Sequence, residues 1–151
     1  MILEFSDWII YVDKDATCVY YAEEADDRCN CSFCKNFYAS VDRLYPDLRN
    51  FLSKFGVDIQ TPESLIPLTP ELYQASFIVQ GKIIRGSLEP IWVNGIAVTL
   101  EEDTVSNSFI VNFGLMNIPW TLEEDPDMNA KPYGLTDIMN EFKQNITPQQ
   151  I

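Results

Sequence analysis

Three of the chain's four cysteines lie within six residues, at Cys29, Cys31 and Cys34. A Cys-x-x-Cys pair lets two thiolates bind one zinc ion at about 2.3 Å, and a Cys-x-Cys pair can also chelate. The three thiols can therefore share a metal ion, exchange a disulfide or remain free. We call residues 29–34 the cysteine loop and expect the chemistry of this chain there.

A structural zinc site needs a fourth ligand, and the chain has no histidine to supply one. Cys18 is the only remaining cysteine, and the ten residues between Cys18 and Cys29 are enough for the chain to fold back. The sequence therefore predicts a structural zinc ion bound by Cys18, Cys29, Cys31 and Cys34. Against this, a small thiol in a predicted strand is an ordinary core residue.

Two other interpretations of the cysteine loop stay open. Cys31 and Cys34 stand at the start of a predicted helix, whose positive end and Lys35 would lower a thiol pKa and support a reversible disulfide. The acidic stretch 23–27 opposes a thiolate there. Alternatively the thiols are structural, with Cys34 packed beneath the helix, because free cysteine is among the most buried residue types.

The charge and composition restrict the function. With 10 basic and 23 acidic residues the net charge is −13, which disfavours binding to nucleic acid or to an anionic membrane. This negative charge suits a basic protein partner, for which the chain would act as an acidic decoy or inhibitor. Alternatively, the charge serves only to keep the protein soluble. The absence of histidine excludes Ser-His-Asp and Cys-His nucleophile systems, so a non-enzymatic protein is expected more than an enzyme.

The compartment follows from two further observations. No run of 18 or more apolar residues is present, so nothing is expected to span a bilayer. The first eight residues lack the basic region of a secretory signal. We therefore expect a soluble protein of a reducing cytoplasm, where stable disulfides are uncommon.

The elements that flank the cysteine loop are predicted from hydrophobic periodicity. Residues 7–12 and 17–22 favour two strands because they are rich in β-branched and aromatic side chains. After the loop, apolar residues recur every three or four positions, as in a helix: Phe33, Phe37, Val41, Leu44, Leu48, Phe51 and Phe55. Pro46 requires a kink or two abutting helices. Asn30 or Ser32 is expected to cap this segment, and Gly56 to end it.

A β-meander is predicted in the second half. Residues 73–79 pair with 82–85 across Gln80-Gly81, and 90–93 pair with 96–100 across Asn94-Gly95, a strong hairpin signal. Residues 108–113 form a further strand.

The remaining segments complete the predicted fold. Residues 57–72 and 121–132 are expected to be loops because they carry several prolines. Residues 135–142 favour a short last helix, and the tail 145–151 is expected to fray. The prediction is a single α+β domain, 1–151, in which an antiparallel meander packs against one long kinked helix and a short C-terminal helix.

The stretches Cys29–Tyr38 and Phe51–Asp58 resemble a group of small bacterial proteins with a Cys-x-Cys-x-x-Cys motif before a long helix. The resemblance covers roughly the first 65 residues of the chain. The group has no assigned function, so the resemblance implies none, and the motif is too short to transfer an activity.

Overall fold

The computed structural model describes residues 1–24, 28–103 and 105–128, which form an antiparallel sheet of seven strands with three helices. The strands are β1 (Ile2–Phe5), β2 (Trp8–Val12), β3 (Ser64–Thr69), β4 (Leu72–Arg85), β5 (Ile91–Val93), β6 (Ile96–Asp103) and β7 (Ser108–Asn117). The helices are α1 (Lys14–Glu24), α2 (Ser32–Leu44) and α3 (Pro46–Ser53). The α+β class and the antiparallel sheet are confirmed. No helix in these ranges is long and apolar enough to cross a membrane.

Strand β4 is the centre of the sheet. The strand order is β1-β2-β4-β7-β6-β5, and β3 also pairs with β4. The turn predicted at Gln80-Gly81 is wrong, because β4 continues through these residues and pairs with β2 beyond them. Gly81 is needed for a different reason: with φ of +151°, a Cβ atom there would lie 2.0 Å from the carbonyl oxygen of Tyr11. The glycine permits a close approach of two strands.

The hairpin predicted at Asn94-Gly95 is confirmed. Val93 pairs with Ile96, and both turn residues have positive φ, 51° at Asn94 and 74° at Gly95. This is the backbone of a two-residue hairpin loop whose twist matches the flanking strands. The strand predicted at 108–113 is also present, as part of β7.

Two strands lie outside the prediction. β1 pairs with β2 at the edge of the sheet, and β3 lies within the segment 57–72 that was predicted to be a loop. β3 was not predicted because it contains Pro67, and proline cannot donate a hydrogen bond to a strand ladder. It is tolerated here because β3 pairs only with β4, which leaves its other side outside the ladder.

The strand predicted at 17–22 is wrong, since these residues belong to α1. Asp13 caps the helix: its Oδ1 accepts a hydrogen bond from the Ala16 amide at 3.0 Å. Thr17 and Tyr21, four residues apart, lie on one face of α1. That face contacts β4, so the period of four outweighs the strand propensity of the individual residues.

Helix α1 fills an interruption in the sheet. On one side of β4, pairing with β3 covers residues up to Ser76 and pairing with β2 begins at Gly81. Between them, the Tyr21 hydroxyl donates to the Ile78 carbonyl at 2.6 Å and accepts from the Ile78 amide at 2.7 Å. The Gln80 amide donates to Thr17 Oγ1 at 3.0 Å. Two side chains thus replace a neighbouring strand.

The single long kinked helix predicted from 33 onward is two helices, α2 and α3, divided at Tyr45. Pro46 is the first residue of α3, where its missing amide proton costs no hydrogen bond. After α3, Gly56 adopts φ of +83° and the Val57 amide reaches back to the Leu52 carbonyl at 3.1 Å. Gly56 therefore ends the helical segment as predicted.

The apolar stripe of α2 and α3 packs on one face of the sheet. Phe37 contacts Tyr73 of β4, and Phe55 contacts Phe109 of β7, with ring centroids 6.1 and 6.4 Å apart. Fully buried side chains from both layers include Phe33, Phe37, Leu48, Leu52, Phe55, Tyr73, Phe77 and Phe109. The short helix predicted at 135–142 and the tail 145–151 lie outside the described residues.

Candidate metal centre

The cysteine loop leads directly into α2. Cys31 is the N-cap residue of α2, and its Sγ accepts a hydrogen bond from the Cys34 amide at 3.4 Å. The predicted caps, Asn30 and Ser32, are wrong by one position: Ser32 is the first helical residue. Its Oγ instead accepts from the Asp127 amide at 3.0 Å. A thiol therefore occupies the place where an oxygen acceptor is usual.

The first turn of α2 brings three thiols together. The Sγ atoms of Cys29, Cys31 and Cys34 all lie within 4.8 Å of one another, and none of the three forms a disulfide. Sulfur atoms that share a tetrahedral zinc ion at about 2.3 Å stand roughly 3.8 Å apart. Binding therefore requires the sulfurs to close by about 1 Å at most. We call these three residues the cysteine cluster.

The cysteine cluster runs from the surface into the protein. Cys29 is exposed, Cys31 is half-buried, and Cys34 is only 6% exposed. An ion can thus enter at Cys29 and be held by two thiols that the helix positions.

Tyr38 of α2 holds the start of the loop in place. Its hydroxyl donates to the Cys29 carbonyl at 3.1 Å, and the guanidinium of Arg28 lies 3.8 Å from the centre of its ring. Gln60 joins this contact, because its Nε2 donates to the Tyr38 carbonyl at 2.9 Å and its Oε1 accepts from Arg28 at 3.5 Å. The exposed Cys29 is therefore attached to a fixed part of the backbone.

The two ends of the cysteine cluster differ in acidity. Burial opposes ionisation of Cys29, but hydrogen bonds from the Cys31 amide, from the thiols of Cys34 and Cys31 and from the Asn30 amide outweigh it and lower the pKa of Cys29. Burial raises the pKa of Cys34, and its hydrogen bonds to the other two thiols raise it further. Cys29 therefore ionises more readily than Cys34.

The predicted redox pair, Cys31 and Cys34, has an unfavourable member. Because burial opposes ionisation of Cys34, it is a poor nucleophile, whereas the exposed Cys29 has a lowered pKa and is the more reactive of these two thiols. The sequence could not separate the three thiols, since their acidity depends on burial and on backbone amides.

Cys18 lies elsewhere. It is an exposed residue of α1, and its thiol donates to the carbonyl of Gly56 at 3.7 Å. It does not belong to the group of three sulfurs that the structure brings together. Zinc binding by all four cysteines stays a prediction, and it requires the Cys18 thiol to leave Gly56.

The comparisons with known proteins identify no family. No protein-family model, curated protein or solved structure matches the chain. The resemblance to small bacterial proteins stays a prediction, and the function has to be inferred from the site.

A row of polar side chains on α2 connects the cysteine cluster to a distant segment. Ser32, Asn36 and Ser40 are spaced by four residues and are all buried. Asn36, which is 0% exposed, accepts from the Thr121 amide at 3.0 Å and donates to the Ile118 carbonyl at 3.4 Å. Residues 118–127 are thereby held against α2. The sequence analysis missed this row, although its spacing of four residues beside the apolar stripe of α2 is its signal.

Proposed function

We propose that this chain is a non-enzymatic, zinc-stabilised protein-interaction domain of the bacterial cytoplasm. The observation that carries the metal part is the group of three free thiols within 4.8 Å at the N-terminus of a helix. Thiolates are ligands that zinc accepts, and the three lie on one short loop. Backbone amides that point at the sulfurs, such as that of Cys34 on Cys31, orient the ligands and support their charge.

Zinc would add stability to a domain that is already packed. The core consists of the sheet with α2 and α3, and in the described ranges every buried side-chain nitrogen or oxygen has a hydrogen-bond partner. We therefore expect the metal-free chain to stay folded. The ion would fix the cysteine loop onto the first turn of α2.

The fourth ligand distinguishes two forms of the proposal. In the first, Cys18 moves from Gly56 and completes a closed structural site. In the second, the three thiolates of the cysteine cluster hold zinc and a water molecule takes the fourth position, as in zinc sites with three protein ligands. The structure as it stands favours the second form, because Cys18 already has a hydrogen-bond acceptor elsewhere.

The interaction part of the proposal rests on charge. A net charge of −13 favours a basic protein over nucleic acid or an anionic membrane. Binding to such a partner should weaken as salt is added, since charges on the surface are screened.

Metal content and thermal unfolding test the proposal. Protein purified under reducing conditions should contain one zinc ion per chain. Zinc in free excess of about 100 times its Kd should stabilise the fold by about 2.7 kcal/mol, which corresponds to roughly 5–10 °C in Tm. A chelator should reverse the shift without unfolding the chain.

Two variants provide the matched controls. Cys31→Ser keeps an N-cap acceptor but removes one ligand, so the metal-free stability should be unchanged and the zinc-dependent shift should disappear. Cys18→Ser should lose the shift only if the site has four cysteines. The proposal would be refuted if the purified protein contained no zinc and its Tm changed with neither added zinc nor a chelator.

A thiol redox function is the second candidate, favoured by the exposed Cys29 and its lowered pKa. Cys29 should then be alkylated first at neutral pH, and a mild oxidant should give a reversible disulfide within the cysteine cluster. Equal alkylation rates at Cys29 and the distant Cys18 would exclude it.

A further inference from the structure

The cysteine cluster has the composition of a three-coordinate site. Over residues 1–24, 28–103 and 105–128, neither a carboxylate nor the fourth cysteine joins its three sulfurs. A tetrahedral zinc ion would take its fourth ligand from outside this group. A soft ion that forms three bonds to sulfur, with a lone pair in the fourth direction, would find all its ligands in place.

We propose that Cys29, Cys31 and Cys34 bind a trivalent, three-coordinate thiophilic ion, of which inorganic arsenite is the probe. The inference rests on the proposed function, because the same three thiols would hold the ion. It goes further in naming the charge and coordination number that the site prefers.

Charge supports a trivalent ion. Three thiolates carry three negative charges, so a monovalent soft ion leaves two and zinc leaves one. Cys34 is 6% exposed, and uncompensated charge on a buried sulfur is costly. The chain already carries a net charge of −13. A trivalent ion leaves the cluster neutral. It therefore leaves no uncompensated charge on the buried sulfur and adds none to the negative charge of the chain.

The reaction needs no oxidant or reductant. Arsenous acid, As(OH)3, exchanges its three hydroxyl groups for three thiolates: each As–O bond is replaced by an As–S bond. Each thiol proton leaves with a hydroxyl as water, so one As(OH)3 and three thiols give one As(SR)3 and three water molecules. Arsenic stays trivalent throughout. Arsenous acid is uncharged at neutral pH, so the acidic surface does not repel it.

The graded exposure of the cysteine cluster suits stepwise binding. The exposed Cys29 makes the first bond, and the half-buried Cys31 and buried Cys34 close the chelate. The first turn of α2 places the last two sulfurs in advance, so little ordering remains to be done.

Thiol counting on the reduced, metal-free protein tests the inference. Under denaturing conditions a chromogenic disulfide reagent should detect all four cysteines. On protein pre-incubated with one equivalent of arsenite, three thiols should be protected and only Cys18 should react. X-ray absorption at the arsenic edge should show three sulfur neighbours. When one equivalent of zinc competes, the arsenic edge should still show three sulfur neighbours.

Variants separate the cysteine cluster from adventitious binding. Cys31→Ser should weaken arsenite binding by at least about 100-fold, because one arm of the chelate is lost. Cys29→Ser should do the same, and the exposed position of Cys29 makes misfolding an unconvincing cause. Cys18→Ser should leave arsenite binding unchanged.

The outcomes distinguish this inference from the proposed function. Protection of two thiols or fewer, dependence on Cys18, or zinc that arsenite fails to displace would overturn the inference while zinc binding stands. If neither zinc nor arsenite protects the cluster, both the inference and the proposed zinc site are wrong.

Discussion

Asn94 is expected to stabilise two elements at once. Its backbone forms the hairpin turn with φ of 51°, and its Oδ1 accepts hydrogen bonds from the amides of Asp47 and Leu48 at 2.9 and 3.1 Å. These are the second and third residues of α3, and Tyr45, the residue before α3, makes no side-chain cap. Asn94 therefore caps a helix to which it does not belong.

The free energies of the two roles can be separated by substitution. Asn94→Gly keeps the positive φ and removes the cap, so it should lower the free energy of unfolding by about 1–2 kcal/mol. Asn94→Ala removes the cap and also forces a Cβ atom into the left-handed region, which adds about 1 kcal/mol. The alanine variant should therefore lose about 2–3 kcal/mol in total.

Urea unfolding followed by tryptophan fluorescence measures both variants. The midpoint should fall in the order wild type, glycine, alanine, with the slope of the transition unchanged. Asn50→Ala is the matched control, because Asn50 is exposed on the same helix and its loss should stay within about 0.5 kcal/mol. A glycine variant as stable as wild type would show that Asn94 does not cap α3. Equal glycine and alanine variants would show that the turn carries no strain.

Three further predictions concern buried polar groups. Asn36→Leu should cost about 3 kcal/mol and speed proteolysis within 118–127, because the Thr121 amide and the Ile118 carbonyl lose their partner. Tyr21→Phe should cost about 2 kcal/mol, since the amide and carbonyl of Ile78 are both left without a partner; urea unfolding measures each loss. Burial raises the pKa of Tyr73 to about 12 from 10.0. The unfolded chain therefore ionises first, so stability should be complete below about pH 10 and fall towards pH 12, with urea midpoints and tyrosinate absorbance as the readout.

The sequence predicted the elements that local chemistry determines. The Asn94-Gly95 hairpin follows from residues that tolerate positive φ, and the apolar stripe of α2 and α3 follows from its period. The break at Pro46 was foreseen as one of two alternatives. These features depend on neighbours in the chain, which the sequence displays directly.

The errors arise where distant residues decide. Residues 17–22 have the composition of a strand but form a helix, because Thr17 and Tyr21 together satisfy an interrupted edge of β4. Gly81 was expected in a turn but lies inside β4. A glycine is needed there because β2 passes too close for a side chain. Neither contact can be found without the topology of the sheet.

The proposed metal site divides in the same way: the structure brings together the three predicted cysteines of the cluster, and the part of Cys18 stays a prediction. Three of its proposed ligands share one loop, so their spacing in the sequence brings them together. Cys18 was expected in a strand, but it lies in α1, and the helix places its thiol beside Gly56. The number of cysteines that can bind one ion therefore depends on tertiary contacts. That number in turn decides which ions the site prefers.

Ser32 makes the cysteine cluster more than a local feature. It lies between Cys31, which caps α2, and the rest of the helix, and its hydroxyl accepts from the Asp127 amide. An ion that fixes Cys31 and Cys34 also fixes the turn that holds Ser32. Because Asn36 and Ser40 continue the same row towards Thr121, we expect an ion in the cluster to strengthen the attachment of residues 118–127 to α2.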